Sequence, residues 1–115
     1  MPIPDVTEFQ ISDAPLADGA LLTIAGELDI ATVPQIRERL SAIIDRGARR
    51  LVVDLRAVTF MDSTALAAFI HAKVQLNAMT LVLEPDSYAR LIFEVAGLEG
   101  VLDVVETLDA AHAPQ

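Results

Sequence analysis

Hydrophobic residues along this chain fall into short runs that switch between two spacings. Three runs are nearly unbroken: "LLTIAG" (Leu21–Gly26), "RLVVDL" (Arg50–Leu55) and "TLVLE" (Thr80–Glu84). Their length and their richness in Val, Leu and Ile predict strands covered on both faces or lying at a sheet centre. Two weaker candidates flank them. "EFQIS" (Glu8–Ser12) alternates as an edge or hairpin strand would, with turn chemistry in "PLADG" (Pro15–Gly19) behind it. "DVVET" near the C-terminus is the other.

Between these runs the apolar period lengthens to that of a helix. "TVPQIRERLSAIIDRG" places Ile36, Leu40, Ile43 and Ile44 at helical spacing. Thr32 with Gln35 three residues later forms a capping-box pattern, Pro34 suits the first turn, and Gly47 suits the stop. "DSTALAAFIHAKVQLN" carries the stripe Leu66, Phe69, Ile70 and Val74, with Asn77 as its stop. "DSYARLIFEVAG" starts at Asp86 or Ser87 behind Pro85 and ends at Gly97. Its stripe Leu91, Ile92, Val95 and Leu98 reads as core or partner-facing packing rather than a lipid site. "TLDAAHAPQ" predicts a short helix before a frayed tail. Alternating strands and helices of this length imply an α/β domain with a small, partly parallel sheet. No repeat, low-complexity tract or linker interrupts the 115 residues. One domain is expected over 1–115, with a core at about 8–107 and short flexible termini.

Composition and charge then narrow the function classes. The 53% hydrophobic content supports a core without staples, and the absence of Cys excludes disulfides, thiolate metal sites and Cys nucleophiles. His71 and His112 are too far apart in sequence to support a zinc site, and "GLEG" and "ADG" lack the spacing of a phosphate loop. No metal or cofactor is expected. The start, "MPIPDVTEFQ", lacks the basic-then-apolar order of a secretory signal, and no apolar run approaches the roughly 20 residues that span a bilayer. The expectation is a cytoplasmic domain without membrane insertion. Acidic residues outnumber basic ones 17 to 8, giving a net charge of −9 that repels phosphate backbones and anionic lipid. Nucleic acid is therefore not an expected partner. Arg37, Arg39, Arg46, Arg49 and Arg50 concentrate in one segment, read as a solvated helix face and loop.

The candidate chemistry lies in "FMDSTALAAF" (Phe60–Phe69), where three oxygen-bearing side chains interrupt an apolar junction. Two readings stand. Asp62, Ser63 and Thr64 can simply cap a helix, since these are the usual capping residues. Alternatively, a hydroxyl in a helix's first turn at the rim of an open sheet is a modification target. Phosphate would add about −1.5 to −2 charges there. The helix N-terminus would tolerate it through its dipole and free N–H groups, whereas a docked partner would face desolvated charge beside Asp62. Asp29 and, more weakly, Glu27 in "GELD" either join this surface or merely leave a strand. His71 follows Ser63 by eight residues, ~12 Å along a helix, too far to act as its base. A hydrolase built on Ser63 therefore lacks a base and an oxyanion arrangement, and no catalytic residue is expected.

Four segments in order carry a family resemblance: "GELDI" (Gly26–Ile30), the amphipathic helix, "LVVDLRAVTFMDSTAL" (Leu51–Leu66) and "RLIFEVAGLEGVLDVVET" (Arg90–Thr107). From about Phe9 to Glu106 the chain resembles the STAS family, in particular the bacterial anti-sigma factor antagonists. That resemblance implies a single domain with a small mixed β-sheet of about four to five strands and helices packed mainly on one side. It implies Ser63 as the phosphorylated serine, with Thr64 in reserve, and Asp29, Asp62, Ser63 and Thr64 as partner-binding residues. The implied cycle is partner switching. The unphosphorylated protein binds an anti-sigma factor with serine kinase activity and frees a sigma factor. Phosphorylation of Ser63 ends the binding, and a metal-dependent serine phosphatase restores it. Domains of this kind can act as monomers. The alternative is a STAS subunit of a stress-signalling assembly or of a lipid-transport ABC complex. The chain departs from the family pattern at two places. Ala65 stands where relatives commonly have Gly, which raises helix propensity by about 1 kcal/mol and adds a methyl where a partner backbone would approach. "QLNAMTL" makes a shorter turn than usual, without the family's glycines.

Overall fold

A computed structural model describes residues 8–98 and 100–111. β1 (Gln10–Leu16) and β2 (Gly19–Leu28) form an antiparallel hairpin about Ala17 and Asp18. Pro15 and Gly19, expected in the turn, belong to the strands. Gly19 must lack a side chain, because a Cβ there would collide with the Arg50 carbonyl of the next strand. Three crossovers follow. α1 (Val33–Asp45) leads to β3 (Arg50–Met61), α2 (Ser63–Val74) to β4 (Ala78–Val82), and α3 (Tyr88–Val95) to β5 (Asp103–Val105). α4 (Leu108–Ala111) ends the described chain. β2 to β5 pair in parallel, and the sheet order β1-β2-β3-β4-β5 follows the chain.

Alternate residues of the strands sort into two layers. Leu22, Ile24, Leu51, Val53, Leu55 and Leu81 pack against Ile36, Leu40 and Ile43 of α1, Leu66 and Phe69 of α2, and Phe93 of α3. The opposite face carries a smaller cluster of Val52, Val82 and Ala111, closed by Leu108 of α4. Helices thus lie mainly on one side, as expected. The single turn of α4 on the other explains why the central strands read as unbroken apolar runs.

β3 continues to Met61, well beyond the predicted end at Leu55. Its pairing steps from Thr23↔Asp54 to Ala25↔Ala57, and from Gly26↔Val58 to Glu27↔Phe60, so β3 carries an extra residue at each step. These bulges expose Arg56 with Ala57, and Thr59 with Phe60, while Val58 and Met61 stay buried. Burial then recurs every third residue instead of every second, which hides the strand from pattern reading.

Several local expectations are corrected. No capping box forms at α1. The Thr32 hydroxyl instead accepts from the Asp29 amide (3.0 Å) and donates to the Glu27 carbonyl (2.9 Å), bracing the β2–α1 loop. α2 stops at Val74, ahead of Asn77, and Val74 is 82% exposed. Leu66 and Phe69 of the expected stripe are buried and Ile70 packs against the core, joined by Ala65, Ala68 and Ala72. The arginine segment is not simply solvated. Arg39 and Arg46 both bind Asp13 (2.7 and 2.8 Å), tying edge strand β1 to α1, and Arg50 donates to the Ala111 carbonyl at the end of α4. His112 and the rest of the C-terminal tail lie outside the described residues.

Two carboxylates hold arginines inside this frame. Hydrogen bonds from Arg46 and then Arg39 keep Asp13 below the usual carboxylate range. Burial pushes Asp54 upward, but Arg56 overrides it with two side-chain bonds (both 2.9 Å) and its backbone amide (3.1 Å), leaving the group depressed. A folded value below the unfolded one, near 4, means the stabilisation is complete above that value. It is lost as pH falls through the folded values. The urea midpoint should therefore fall as pH drops from about 5 towards 2, and Asp13→Asn should flatten that decline. An unchanged acid profile in the variant would remove Asp13 from this account.

Candidate functional site

Parallel strands place their carboxyl ends together. β2 delivers Asp29 and β3 delivers Asp62 to one edge of the sheet, whereas β4 ends earlier, with Val82 opposite Asp54, and is followed by Glu84 and Asp86. Leu28 pairs with Met61, and the Asp62 amide donates to the Leu28 carbonyl at 3.1 Å. The loops carrying Asp29 and Asp62 are therefore adjacent. The structure brings Asp29, Asp62, Ser63 and Thr64 to the same rim.

Asp62 is the N-cap of α2. Its backbone is extended (φ −110°, ψ −178°), and its Oδ1 accepts from the Thr64 and Ala65 amides at 2.9 and 3.3 Å. The same oxygen accepts the Thr64 hydroxyl at 2.5 Å. Ser63, between them, is exposed and takes no part in these bonds. The two neighbouring hydroxyls thus differ in kind. Thr64's is tied to the cap; Ser63's faces solvent. Asp29 is half-buried, and its Oδ1 accepts from the Ala31 and Thr32 amides at 2.9 and 3.3 Å. It serves the loop while standing at the rim, so its two readings coexist.

Two sequence-based expectations change here. The first-turn amides of Thr64 and Ala65 already belong to Asp62, so a phosphate on Ser63 would not inherit them. It would meet a carboxylate instead. Ala65 is 0% exposed and packs within the main core. Its methyl points away from any docking partner, which removes the steric conflict expected from its place beside the serine. His71 is exposed farther along α2, its Nδ1 3.4 Å from Arg37 Nη1, and takes no part at the rim.

Sequence reading missed the apolar part of this edge. Ile30 is 78% exposed beside Asp29, and Phe60 is exposed three residues before Ser63. The Phe60 ring stacks on Tyr88 at the start of α3, with centroids 5.5 Å apart and planes inclined by 19°. Phe60 served only as a letter of the motif, because the bulge that turns it outward has no sequence signal. Tyr88, the one tyrosine of the chain, was the available hint.

The family model described as the STAS domain matches residues 12–111. The chain belongs to the STAS domain family. An anti-sigma-B factor antagonist of Staphylococcus aureus is 36% identical over 87 residues, covering 72% of this chain and 80% of that protein. Among solved structures, an anti-sigma factor antagonist from Mycobacterium paratuberculosis superposes with a TM-score of 0.82 at 23% identity, covering 96% of this chain and 95% of the other. The anti-sigma factor antagonist SpoIIAA in its unphosphorylated form gives 0.71 at 25% identity, covering 90% and 93%. This STAS domain therefore shares its fold with proteins named as anti-sigma factor antagonists.

In this STAS domain the cap has a measurable structural share. Asp62→Ala should lower unfolding stability by about 0.5–2 kcal/mol, and Asp62→Asn should recover most of it, because the amide oxygen can still accept from Thr64 and Ala65. Chemical denaturation checks both. Equal losses in the two variants would show that charge, not cap geometry, dominates.

Proposed function

We propose that this STAS domain is an anti-sigma factor antagonist whose docking is switched off by phosphorylation of Ser63. The observation that carries the reading is the contrast between two adjacent hydroxyls. Ser63 is exposed at the rim, while the Thr64 hydroxyl is engaged by Asp62. The names of the relatives supply the partner class.

In the proposed cycle the unphosphorylated rim, with Asp29, Asp62, Ser63 and Thr64, docks on an anti-sigma factor with serine kinase activity and frees its sigma factor in the cytoplasm. The kinase supplies ATP, metal and base. Ser63 Oγ attacks the γ-phosphorus, the bond to the bridging oxygen breaks, ADP leaves and the hydroxyl proton passes to the kinase base. The product is a dianion at the mouth of α2, beside a carboxylate and without free first-turn amides at Thr64 or Ala65. Solvent accommodates it on the free domain. Against a docked protein it would be a buried, unpaired charge, which typically costs 2–5 kcal/mol, roughly 30-fold or more in affinity. A metal-dependent serine phosphatase then hydrolyses the ester and restores the hydroxyl.

The test combines modification and binding. Incubation with the kinase and ATP should add a single phosphate at Ser63, located by mass spectrometry, and Ser63→Ala should bind normally but resist modification. Ser63→Glu should weaken binding by roughly 30-fold or more, in line with the buried-charge penalty. Phosphate found elsewhere, or full binding by Ser63→Glu, defeats the proposal.

A further inference from the structure

α3 is apolar over a wider arc than the domain buries. Ala89 and Phe93 are buried and Ile92 packs against the core. Tyr88, Leu91 and Val95, at i, i+3 and i+7, form a neighbouring stripe on the same helix. They stay 42%, 54% and 77% exposed. Only Arg90 and Glu94, paired at 3.2 Å, close the polar side. One exposed leucine would need no explanation, but a stripe continuous with a stacked aromatic pair does. Phe60 on Tyr88 carries the ridge from α3 to the end of β3, three residues before Ser63.

The charges around the ridge select what can cover it. Glu27, Asp29, Asp62, Glu84 and Asp86 all lie at the carboxyl ends of β2, β3 and β4. The nearby arginines are already committed, Arg56 to Asp54 and Arg90 to Glu94. A second copy, also carrying −9, would bring acidic rim against acidic rim, and an anionic membrane would be repelled in the same way. The surface suits a protein with an apolar centre and a Lys/Arg periphery. On the other flank of α2, the α1–α2 groove of about 390 Å³ presents Arg37, which would repel such a partner.

We propose that the protein docking at Ser63 also covers Phe60, Tyr88, Leu91 and Val95, so that its footprint spreads over α3 and not across the α1–α2 groove. This rests on the reading of Ser63 as a docking site. Phe60 and Tyr88 act as aromatic anchors, Leu91 and Val95 extend the dry contact, and the surrounding carboxylates orient the basic edge of the partner. A phosphate on Ser63 then enters the border of an apolar contact, where water cannot follow it.

Calorimetric titration of the full chain against the kinase shown to modify Ser63 decides the matter. Leu91→Ser with Val95→Ser should weaken binding about tenfold or more, while Val74→Ser, on the groove flank, should stay within about twofold. Circular dichroism and melting verify that these exposed positions leave the fold intact. Leu91→Lys should bind more weakly than Leu91→Glu at low salt, a difference that lost packing alone would not produce. Normal binding by the double variant, with Ser63→Glu still defective, overturns the α3 footprint and leaves the Ser63 switch standing. Normal binding by Ser63→Glu removes the switch itself. Concentration-dependent dimerisation abolished by the double variant would assign the ridge to a second copy, and vesicle binding abolished by it would assign it to lipid; either overturns the proposal.

Discussion

Asp62 is held from two sides, and the rim takes its shape from that. Its amide donates to the Leu28 carbonyl, which joins the ends of β2 and β3. Its carboxylate gathers the Thr64 and Ala65 amides and the Thr64 hydroxyl, which starts α2 at a defined residue. Asp62 itself is half-buried, Thr64 turns back to the cap and Ala65 enters the core. Ser63 is the one position of the turn left facing out. One exposed hydroxyl beside a fixed cap is here a by-product of ordinary capping.

Charge is distributed unevenly over the same frame. The arginines at the other end of the sheet serve the fold: Arg39 and Arg46 clamp β1 through Asp13, and Arg50 holds the end of α4. Asp29 and Asp62 at the rim instead accept from backbone amides and, at Asp62, from the Thr64 hydroxyl. Added negative charge at Ser63 therefore breaks no internal ion pair, and its energetic effect falls on whatever presses against the rim. In the proposed function, scaffold and switch are separable because they use different charges.

The elements were legible where burial followed a simple period. β2, the first half of β3, β4 and all four helices were readable, with errors of a few residues at their ends. The second half of β3 was not, because its bulges replace alternation with a three-residue burial repeat. Val74 failed for a related reason. α2 is apolar nearly all round, so spacing could not tell which side meets α1 and the sheet. The capping box at Thr32 matched its pattern, yet Asp29 competed for the same hydroxyl and won.

For the site, the sequence alone determined that Asp62 would cap a helix with Ser63 and Thr64 in its first turn, since capping preferences are local and depend on a few neighbouring residues. It also determined the acidic balance and the absence of thiol chemistry. Only the tertiary structure decided which hydroxyl is free, that Ala65 points inward, and that Asp29 lies beside Asp62. It alone placed Phe60 against Tyr88. Those are relations between strands brought together by parallel pairing, and they depend on register and bulges, which no local pattern encodes.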